Sequence, residues 1–386
     1  MTKNLRHEYE EAFSRFADAP AARAFGLGRH ALFILLKALD VNPGDKIGVC
    51  AFTCLAVVEA IKVCQAVPVY LDIDEYLCID PQEILCHNGL GHPFREASQM
   101  GIQNKGSLKV VILQHTFGNP GRFEQLLAAC NKIDAKIIED CAHALNCTWK
   151  NQKLGKWGEG AVGQGGMLTV NSSSLLEKVD RQIERFAAPA SQKSEFILSS
   201  LRRAYHPFSQ SRLDCYLGYN YSRLRSMLHF RGKSFLKNGF PSCTGYPRLM
   251  GEMTAKAKLK QIESWPKLRQ IRLQNTAMIE DAFSNAGISL WPVEPQAKIT
   301  MMRYPLRVYK KWEIVHRAGI RGLDIAGWYV SPVHPLSDKD LAKVDYRRGC
   351  CPRAEGTIER LVHLPTGPSL NKHKLDAMIN VITSIH

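Results

Sequence analysis

Short apolar runs rich in β-branched residues alternate with helix-periodic segments along the first half of the chain. The runs predict five strands, at 46–50, 67–71, 109–113, 136–139 and 167–170. Apolar residues at helical spacing predict helices at 1–20, 29–39, 55–64, 123–133 and 174–185. Strands that alternate with helices are typical of an α/β fold, so we predict a mostly parallel sheet flanked by helices.

The second half of the chain predicts a long helix followed by a smaller α/β unit. The helix covers about 250–286, and we expect it to break near Pro266, because proline removes a backbone donor. Beyond it the pattern predicts a strand at 301–308, a helix at 310–318, a Pro-rich loop at 328–335, a helix at 351–360, a strand at 361–364 and a final helix from 370. We therefore predict two domains. Residues 1–245 form an N-terminal helix and a large α/β domain, and residues 246–386 form a linking helix and a small α/β domain.

Polar residues follow two of the predicted strands. Asp140 and His143 come after the strand at 136–139, and His115 follows the strand at 109–113. In open parallel sheets, ligands bind at the carboxyl ends of the strands. A carboxylate buried there is costly without a partner, so Asp140 indicates either a cationic group on a ligand or a structural cap for the next segment. His143 is compatible with a contact to a ligand ring and equally with a satisfied core histidine.

Two glycine-containing segments can bring backbone groups to a ligand. Gly26-Leu27-Gly28 precedes the helix at 29–39, whose N-terminal N–H groups and dipole, together with Arg29, can hold an anion. The same glycines are also compatible with an ordinary turn. The run 163–166 predicts a flexible approach to the strand at 167–170, where backbone and ligand can come close.

The composition favours a globular protein of the reducing cytoplasm. The 386-residue chain is 45% apolar, and no stretch approaches the roughly 18 apolar residues of a membrane span. Its first residues are polar and lack the apolar block of a secretory signal. The 12 cysteines include no Cys-x-x-Cys pair, and several fall in apolar patterns typical of core thiols. We identify no metal site from the sequence.

Much of the net charge of +15 falls in a basic segment, defined here as residues 202–272. Aromatic residues interleave with the basic ones, mostly within 196–240. Such a segment is compatible with a solvated or subunit-contacting face, an anionic membrane surface, nucleic acid or a phosphorylated substrate. No nucleic-acid motif of defined spacing accompanies the charge, so we predict no nucleic-acid partner. Contact with a membrane surface remains a weaker alternative to the solvated or subunit-contacting face.

Taken together, these segments resemble the DegT/DnrJ/StrS family of pyridoxal-phosphate-dependent sugar aminotransferases. Motifs similar to those of the family occur in its order at 28–32, 42–45, 51–53, 68–74, 115–120, 139–143, 351–355 and 364–370. They include His-Thr-Phe-Gly-Asn-Pro from His115, Glu-Asp-Cys-Ala-His from Glu139 and Cys-Pro-Arg-Ala-Glu from Cys351. The resemblance implies the fold type I aminotransferase architecture, with a mostly parallel sheet and a smaller C-terminal α/β domain.

The resemblance also implies how a cofactor would be held. Asp140 would pair with the protonated pyridine nitrogen of pyridoxal 5'-phosphate (PLP), and His143 would contact the ring or its phenolic oxygen. Gly28 and Arg29 would hold the phosphate. Cys54 takes the position of an aromatic residue that often stacks on the ring, so the resemblance also implies Cys54 at the cofactor site, although a thiol does not supply the stacking contact.

Two further residues are implied in substrate or neighbouring-subunit contacts, namely His115 and Arg248. Arg248 stands where the family has a segment that reaches the site of a neighbouring subunit, so a homodimer is expected. A nucleotide-sugar and an amino-acid donor are implied as the partners of the reaction.

One departure from the family bears directly on catalysis. The family has a lysine that forms the Schiff base with PLP, in a segment that would fall between Val162 and Gly163. Around ten residues are missing there by alignment, so we identify no catalytic lysine and expect any bound PLP to be held non-covalently. Lys153 and Lys156 lie upstream, and nothing in the pattern brings them to the ring.

These observations leave three functions open. The first is a PLP-dependent aminotransferase homologue that acts on a keto-sugar nucleotide in amino-sugar or surface-polysaccharide biosynthesis, with activity reduced or lost for want of the lysine. The second is a catalytically degenerate protein that binds a nucleotide-sugar or the cofactor. The third is an accessory protein associated with a membrane surface through the basic segment.

Overall fold

The computed structural model describes residues 4–90, 107–163, 165–191, 195 and 246–385. In chain order the helices are α1 (Leu5–Ala17), α2 (Gly28–Ala38), α3 (Leu55–Val63), α4 (Pro81–His87), α5 (Phe123–Lys132), α6 (Ser173–Phe186), α7 (Glu252–Asn285), α8 (Lys311–Ile320), α9 (Pro352–Ile358) and α10 (Lys372–Thr383). The strands are β1 (Ala21–Ala24), β2 (Lys46–Cys50), β3 (Thr53–Cys54), β4 (Val67–Leu71), β5 (Val110–Gln114), β6 (Lys136–Cys141), β7 (Thr148–Trp149), β8 (Gln152–Lys153), β9 (Gly160–Gly163), β10 (Met167–Val170), β11 (Ala297–Lys298), β12 (Arg303–Arg307), β13 (Val333–His334) and β14 (Leu361–Pro365). The aromatic-rich segment 196–240 lies outside the described residues.

Seven strands form the central sheet, in the order β1-β10-β9-β6-β5-β2-β4. The pairings from β9 to β4 are parallel, whereas β10 runs antiparallel to both β9 and β1. The strands that the sequence predicts at 46–50, 67–71 and 167–170 have these bounds in the structure, and those at 109–113 and 136–139 are shifted or extended by one or two residues. The prediction of a mostly parallel sheet is therefore confirmed.

Helices cover both faces of the sheet because the strands are apolar on both sides. Ile47, Val110 and Ile138 face a core shared with α2, α3 and α6. Their neighbours in sequence, Val111 and Ile137, face a second core, which includes residues of α5, α7 and the C-terminal strands β12 and β14. Side chains alternate between the faces of a strand, so one continuous apolar run supplies both cores.

The helix predicted at 250–286 is one continuous helix, α7, and the break expected near Pro266 was wrong. Proline inside a helix removes one backbone hydrogen bond and costs roughly 3 kcal/mol. Helix α7 nevertheless continues because both of its ends are packed. Ala255 is buried in a core with α1, and Ile279 and Phe283 are buried against the C-terminal strands. Tertiary packing therefore outweighs the local preference.

The C-terminal part pairs β12 antiparallel with β14 and adds α8, α9 and α10. It also reaches back into the first part of the chain, because β13 pairs with β3 and β11 pairs with β7. The boundary at residues 245 and 246 remains a prediction. Among the described residues, no helix is both long enough and apolar enough to span a lipid bilayer.

Two of the motifs shared with the family meet at the start of α9. Asp72, which is 2% exposed and follows β4, accepts the backbone N–H groups of Arg353 at 3.0 Å and Ala354 at 2.8 Å. The guanidinium of Arg353 also binds Asp80 at 2.6 Å and Glu83 at 2.9 Å. A carboxylate that accepts the first N–H groups of a helix caps it, so Asp72 joins the C-terminal helix to the large sheet.

We expect Asp72→Ala to destabilise the protein by about 2–4 kcal/mol, because it leaves the backbone N–H groups of Arg353 and Ala354 without their acceptor and removes one of the three partners of the Arg353 guanidinium. Glu83→Ala is the matched control. It removes an exposed partner of the same arginine and should cost less than about 1 kcal/mol. Urea unfolding of both variants measures the difference. Equal losses would show that Asp72 does not cap α9.

Candidate active site

The carboxyl ends of β2, β5 and β6 meet where the strand order reverses. The chain passes from β2 to β4 on one side of β2, and then crosses to β5 and β6 on the other side. Gln114 at the end of β5 is in register with Asp140 at the end of β6. Ligands of open α/β sheets bind in the crevice outside such a reversal. The sequence-predicted residues Asp140 and His143 therefore lie at the expected edge.

Gln114 holds the edge of the crevice together. Its Oε1 accepts the hydroxyl of Thr53 at 2.8 Å. Its Nε2 donates to the carbonyl of Phe52 and to the hydroxyl of Thr116, both at 2.9 Å. This amide therefore fixes the segment that follows β2 against the end of β5. Gln114 is the first residue of the polar run 114–118 that the sequence predicts at this edge, but the sequence indicates no role for its side chain.

Asp140 is 7% exposed, and its Oδ1 accepts the N–H of Ala142 at 3.0 Å. Oδ1 of Asp140 thus caps the segment that follows β6, which is the structural alternative that the sequence left open. Within the described parts of the chain, no lysine or arginine forms an ion pair with this carboxylate. Burial raises the pKa of Asp140, and the Ala142 N–H and nearby His115 offset part of that rise. A buried carboxylate that lacks a cation is suited to receive one from a ligand.

His143 lies beside Asp140 and is neutral. Its ring stacks on Phe117, with centroids 5.6 Å apart and planes 27° apart. Nδ1 accepts the backbone N–H of Phe117 at 3.4 Å, which leaves the ring proton on Nε2. Burial lowers the pKa of His143 to about 4. This ring is therefore an uncharged, fixed surface at the crevice.

His115 does not face the crevice, which corrects the expectation that it contacts substrate or a neighbouring subunit. Its side chain is fully buried, and Nε2 lies 2.9 Å from Oε2 of Glu139. Glu139 also accepts the N–H groups of Gly155 at 2.7 Å, Trp157 at 2.6 Å and Gly158 at 3.0 Å. Side chains alternate along a strand, so Glu139 and Asp140 point to opposite faces of β6. His115 belongs to the network behind the site.

Three neighbouring side chains around this network are of the types that bind metal ions. Atoms of His115, Glu139 and Cys141 lie within 4.8 Å of one another. The Glu139 carboxylate already accepts hydrogen bonds at both oxygens from the loop and the imidazole. These donors leave the Glu139 carboxylate little capacity for an ion, whereas Nδ1 of His115 is buried without a hydrogen-bond partner among the described residues.

The N-terminus of α2 offers backbone donors beside the crevice. Its N-cap residue is Leu27, and no side chain caps the helix there. A Cβ atom on Gly28 would meet nothing within 4 Å, so the approach to the helix end is open. Such an N-terminus attracts anions through its N–H groups and dipole.

Arg29 is placed differently from the sequence expectation. Its guanidinium pairs with Glu59 of α3, whose side chain is 7% exposed. Burial raises the pKa of Glu59, and Arg29 opposes that rise. The pair neutralises the positive charge that the sequence analysis assigned to phosphate binding. Any phosphate held here would depend mainly on the backbone donors of α2.

The segment from Tyr246 to Met250 lies along the same helix end. The Arg248 N–H donates to Nδ1 of His30 at 3.2 Å, and the Gly26 N–H donates to the Arg248 carbonyl at 2.9 Å. The hydroxyl of Tyr246 donates to the carbonyl of Arg29 at 2.8 Å. Arg248 itself is exposed beside the N-terminus of α2 in the same chain. Its contact with a neighbouring subunit stays a prediction.

The C-terminal loop also contributes to the crevice, through a residue that the sequence analysis missed. Tyr329 is 6% exposed and stacks on Phe52, with ring centroids 3.9 Å apart. Burial and the charges of Cys54 and Asp140 raise the pKa of Tyr329. Cys54 is an exposed residue. The only sequence signal for Tyr329 was an aromatic pair in a Pro-rich loop, which does not indicate what the loop packs against.

The gap in the sequence corresponds to a tight hairpin between β9 and β10. Gly163 pairs with Met167, so only residues 164–166 connect the two strands. No lysine belongs to this turn. Nζ of Lys156 binds Asp18 at 2.7 Å, and Nζ of Lys153 donates to the carbonyl of Phe16. Both amines are directed to α1 and the residue that follows it.

We expect Asp140→Asn to stabilise the unliganded protein at neutral pH. The raised pKa means that the folded state carries a penalty for the charged form. That penalty is absent below the unfolded pKa near 3.9 and develops as pH rises through the folded pKa. The variant should therefore melt higher than wild type near pH 7 and equal it near pH 3.5, in thermal melts at both pH values. A lower melting temperature at pH 7 would show that the charged form is stabilised by the fold.

A sequence model of the DegT/DnrJ/EryC1/StrS aminotransferase family matches residues 2–383. The chain is 24% identical over 393 residues to a pleiotropic regulatory protein of Geobacillus stearothermophilus, covering 98% of this chain and 88% of that protein. It is 28% identical over 166 residues to a UDP-N-acetyl-3-dehydro-alpha-D-glucosamine 3-aminotransferase of Acidithiobacillus ferrooxidans, covering 39% and 40% of the two chains. This chain thus aligns with less than half of the second relative.

Solved structures confirm the predicted fold. The aminotransferase from Psychrobacter cryohalolentis has a TM-score of 0.71 at 19% identity, over 100% of this chain and 91% of that one. The PLP form of Spr1654 from Streptococcus pneumoniae has a TM-score of 0.71 at 17% identity, over 99% and 91%. These structures share the fold type I architecture, and PLP is the cofactor of the family. With nearly its whole length matched, the chain belongs to the DegT/DnrJ/EryC1/StrS aminotransferase family.

Proposed function

We propose that this protein binds PLP at the Asp140 edge and aminates a keto-sugar nucleotide, with glutamate as the amino donor. The observation that carries the proposal is Asp140, a buried carboxylate without a cationic partner among the described residues. Relatives named as a UDP-N-acetyl-3-dehydro-alpha-D-glucosamine 3-aminotransferase and as GDP-perosamine synthases support the class of substrate. A homodimer in the cytoplasm remains part of the proposal.

The residues present suit both ends of the cofactor. Asp140 would pair with the protonated ring nitrogen, and a bound cation there would offset the cost of burying the carboxylate. The uncapped N-terminus of α2 at Gly28 would hold the phosphate. His143, neutral and fixed by Phe117, would lie against the ring. When bound, PLP supplies an electron sink for negative charge on the carbon next to the reacting nitrogen.

The residues around the crevice would also exclude water from it. Phe117 and Phe52 are buried, and Tyr329 covers Phe52 from the C-terminal loop. Exclusion of water strengthens the interaction between Asp140 and a ring cation. The hairpin supplies no amine, so the proton transfers that a lysine normally performs lack their usual group. We therefore expect slow amination.

The hairpin also favours a second candidate function, a binding protein without catalysis. Such a protein would retain affinity for PLP or a nucleotide-sugar and show no turnover. The third possibility, association with a membrane surface, depends on the basic segment, most of which lies outside the described residues. Co-sedimentation with anionic vesicles at low and high salt tests it directly, because surface charge attraction weakens with salt.

Titration with PLP, followed by absorbance and thermal stability, tests the cofactor site. We expect saturable binding that raises the melting temperature of the wild type, and at least about tenfold weaker binding in Asp140→Asn, since the ring cation loses its counter-ion. Asp376→Asn is the matched control, because Asp376 lies exposed on α10. Equal affinity in all three proteins would refute the site.

Turnover separates the two candidate functions. The PLP-treated protein is incubated with glutamate and a panel of keto-sugar nucleotides, and amino-sugar products are detected by mass spectrometry. We expect slow product formation that is abolished in Asp140→Asn, because the ring cation then lacks its partner. Saturable PLP binding without product from any sugar would support the binding protein instead.

A further inference from the structure

The turn of the β9–β10 hairpin lies against the loop that leads into α2. Gly165 and Gly166 have φ values of +78° and +83°, a left-handed conformation that glycine adopts readily. The Phe25 N–H donates to the Gly166 carbonyl at 2.9 Å, and a Cβ atom on Gly166 would stand 2.2 Å from the Phe25 carbonyl oxygen. The turn is therefore held beside the entry to α2, whose first residue is Gly28.

A lysine from a distant part of the chain lies on this turn. A Cβ atom on Gly165 would stand 2.9 Å from Cε and 3.0 Å from Nζ of Lys258. Lys258 is in the second turn of α7, and its Nζ also donates to Oε1 of Gln261 at 3.0 Å. In the sequence, Lys258 is distinguished only as one of the basic residues of the segment 202–272.

Helix α7 places Lys258 on the side that faces the sheet, where the residue is half-buried. Ala255 and Ile262 are three residues before and four residues after it, so the three side chains share one face of α7. Ala255 is buried with Met167, which follows the hairpin turn, and Ile262 packs against the same cluster. This face rests on the β1–β10 edge of the sheet. Packing of α7 therefore brings the end of the Lys258 side chain to the hairpin.

Like Lys258, three other lysines among the described residues have hydrogen-bond or ionic partners, and theirs lie away from the hairpin turn. Nζ of Lys156 binds Asp18, and Nζ of Lys153 donates to the Phe16 carbonyl. Lys311 is 3% exposed and donates to the carbonyls of Tyr329 and Ile358, at 2.8 and 2.9 Å. Lys311 is the strongest competitor, because it contacts the same loop that brings Tyr329 to the crevice.

We propose that Lys258 replaces the missing hairpin lysine and supplies the amine that bonds covalently to PLP. This inference rests on the proposed binding of PLP at the Asp140 edge. The neutral Nζ would attack the aldehyde carbon with its lone pair and form a C–N bond. The carbonyl oxygen would then leave as water with the two amine hydrogens, which gives a C=N bond. No oxidant or reductant is needed, and the four-carbon stem of lysine provides the reach.

Borohydride reduction followed by peptide mapping tests the proposal on the full-length protein. Reduction converts a C=N bond into a stable amine, so the modified lysine can be identified by mass spectrometry. With PLP near one equivalent, we expect most of the label on Lys258. Lys258→Arg keeps the positive charge and cannot form the C=N bond, and it should lose at least about nine-tenths of the label. Lys256→Arg and Lys260→Arg, at exposed positions on the same helix, should keep it.

The outcomes separate this inference from the proposed function. Saturable PLP binding that depends on Asp140, with the label on Lys311, Lys153 or Lys156, would overturn the role of Lys258 and leave the cofactor site standing. The same binding without any label would also overturn it and support non-covalent binding. Binding that is absent, or unchanged in Asp140→Asn, would refute the site itself. If the label lies on Lys258 in the wild type and is weaker in Asp140→Asn, the result would support both the cofactor site and the role of Lys258.

Discussion

Two adjacent carboxylates at the end of β6 have opposite environments, and the organisation of the crevice depends on that difference. Glu139 is fully buried and accepts four hydrogen bonds, from His115 and from the loop that follows β8. Asp140 points to the other face and has one N–H donor and no cationic partner among the described residues. A buried carboxylate with all its hydrogen bonds made holds the groups around it in place. A buried carboxylate with few partners, such as Asp140, has a raised pKa and favours a cationic ligand. Glu139 thus fixes the strand end on which Asp140 is presented.

Several motifs that suggest chemistry serve the fold instead. Asp72 and Arg353 lie in two of the segments shared with the family, and the structure joins them across the start of α9. His115 lies in another, and its ring is behind the site with Glu139. Arg29 pairs with Glu59. A charged residue in a family motif is therefore as compatible with joining elements of the fold as with contacting a ligand. Only the partner of each side chain distinguishes these roles.

The short β9–β10 connection changes the chemistry more than the fold. Antiparallel pairing continues through Gly163 and Met167, so the sheet closes without the missing segment. The missing segment instead removes a lysine from the crevice, where the family has an amine attached to the loop between these two strands. The proposed amine of Lys258 would instead be attached to α7, a helix that also packs on α1 and the C-terminal strands. Its position would then depend on the packing of the whole molecule rather than on one loop.

The sequence determined the elements with strong local signals and the family to which they belong. The strands at 46–50, 67–71 and 167–170 were correct to the residue because continuous apolar runs bounded by turns leave little choice of limits. Asp140 and His143 could be placed at the sheet edge because the carboxyl ends of parallel strands share one side. The tertiary structure alone decided that α7 continues through Pro266, that His115 is turned inward, that Tyr329 reaches the crevice and that Lys258 covers the hairpin. Each of these depends on contacts between residues far apart in the chain, whose packing energy local patterns do not contain.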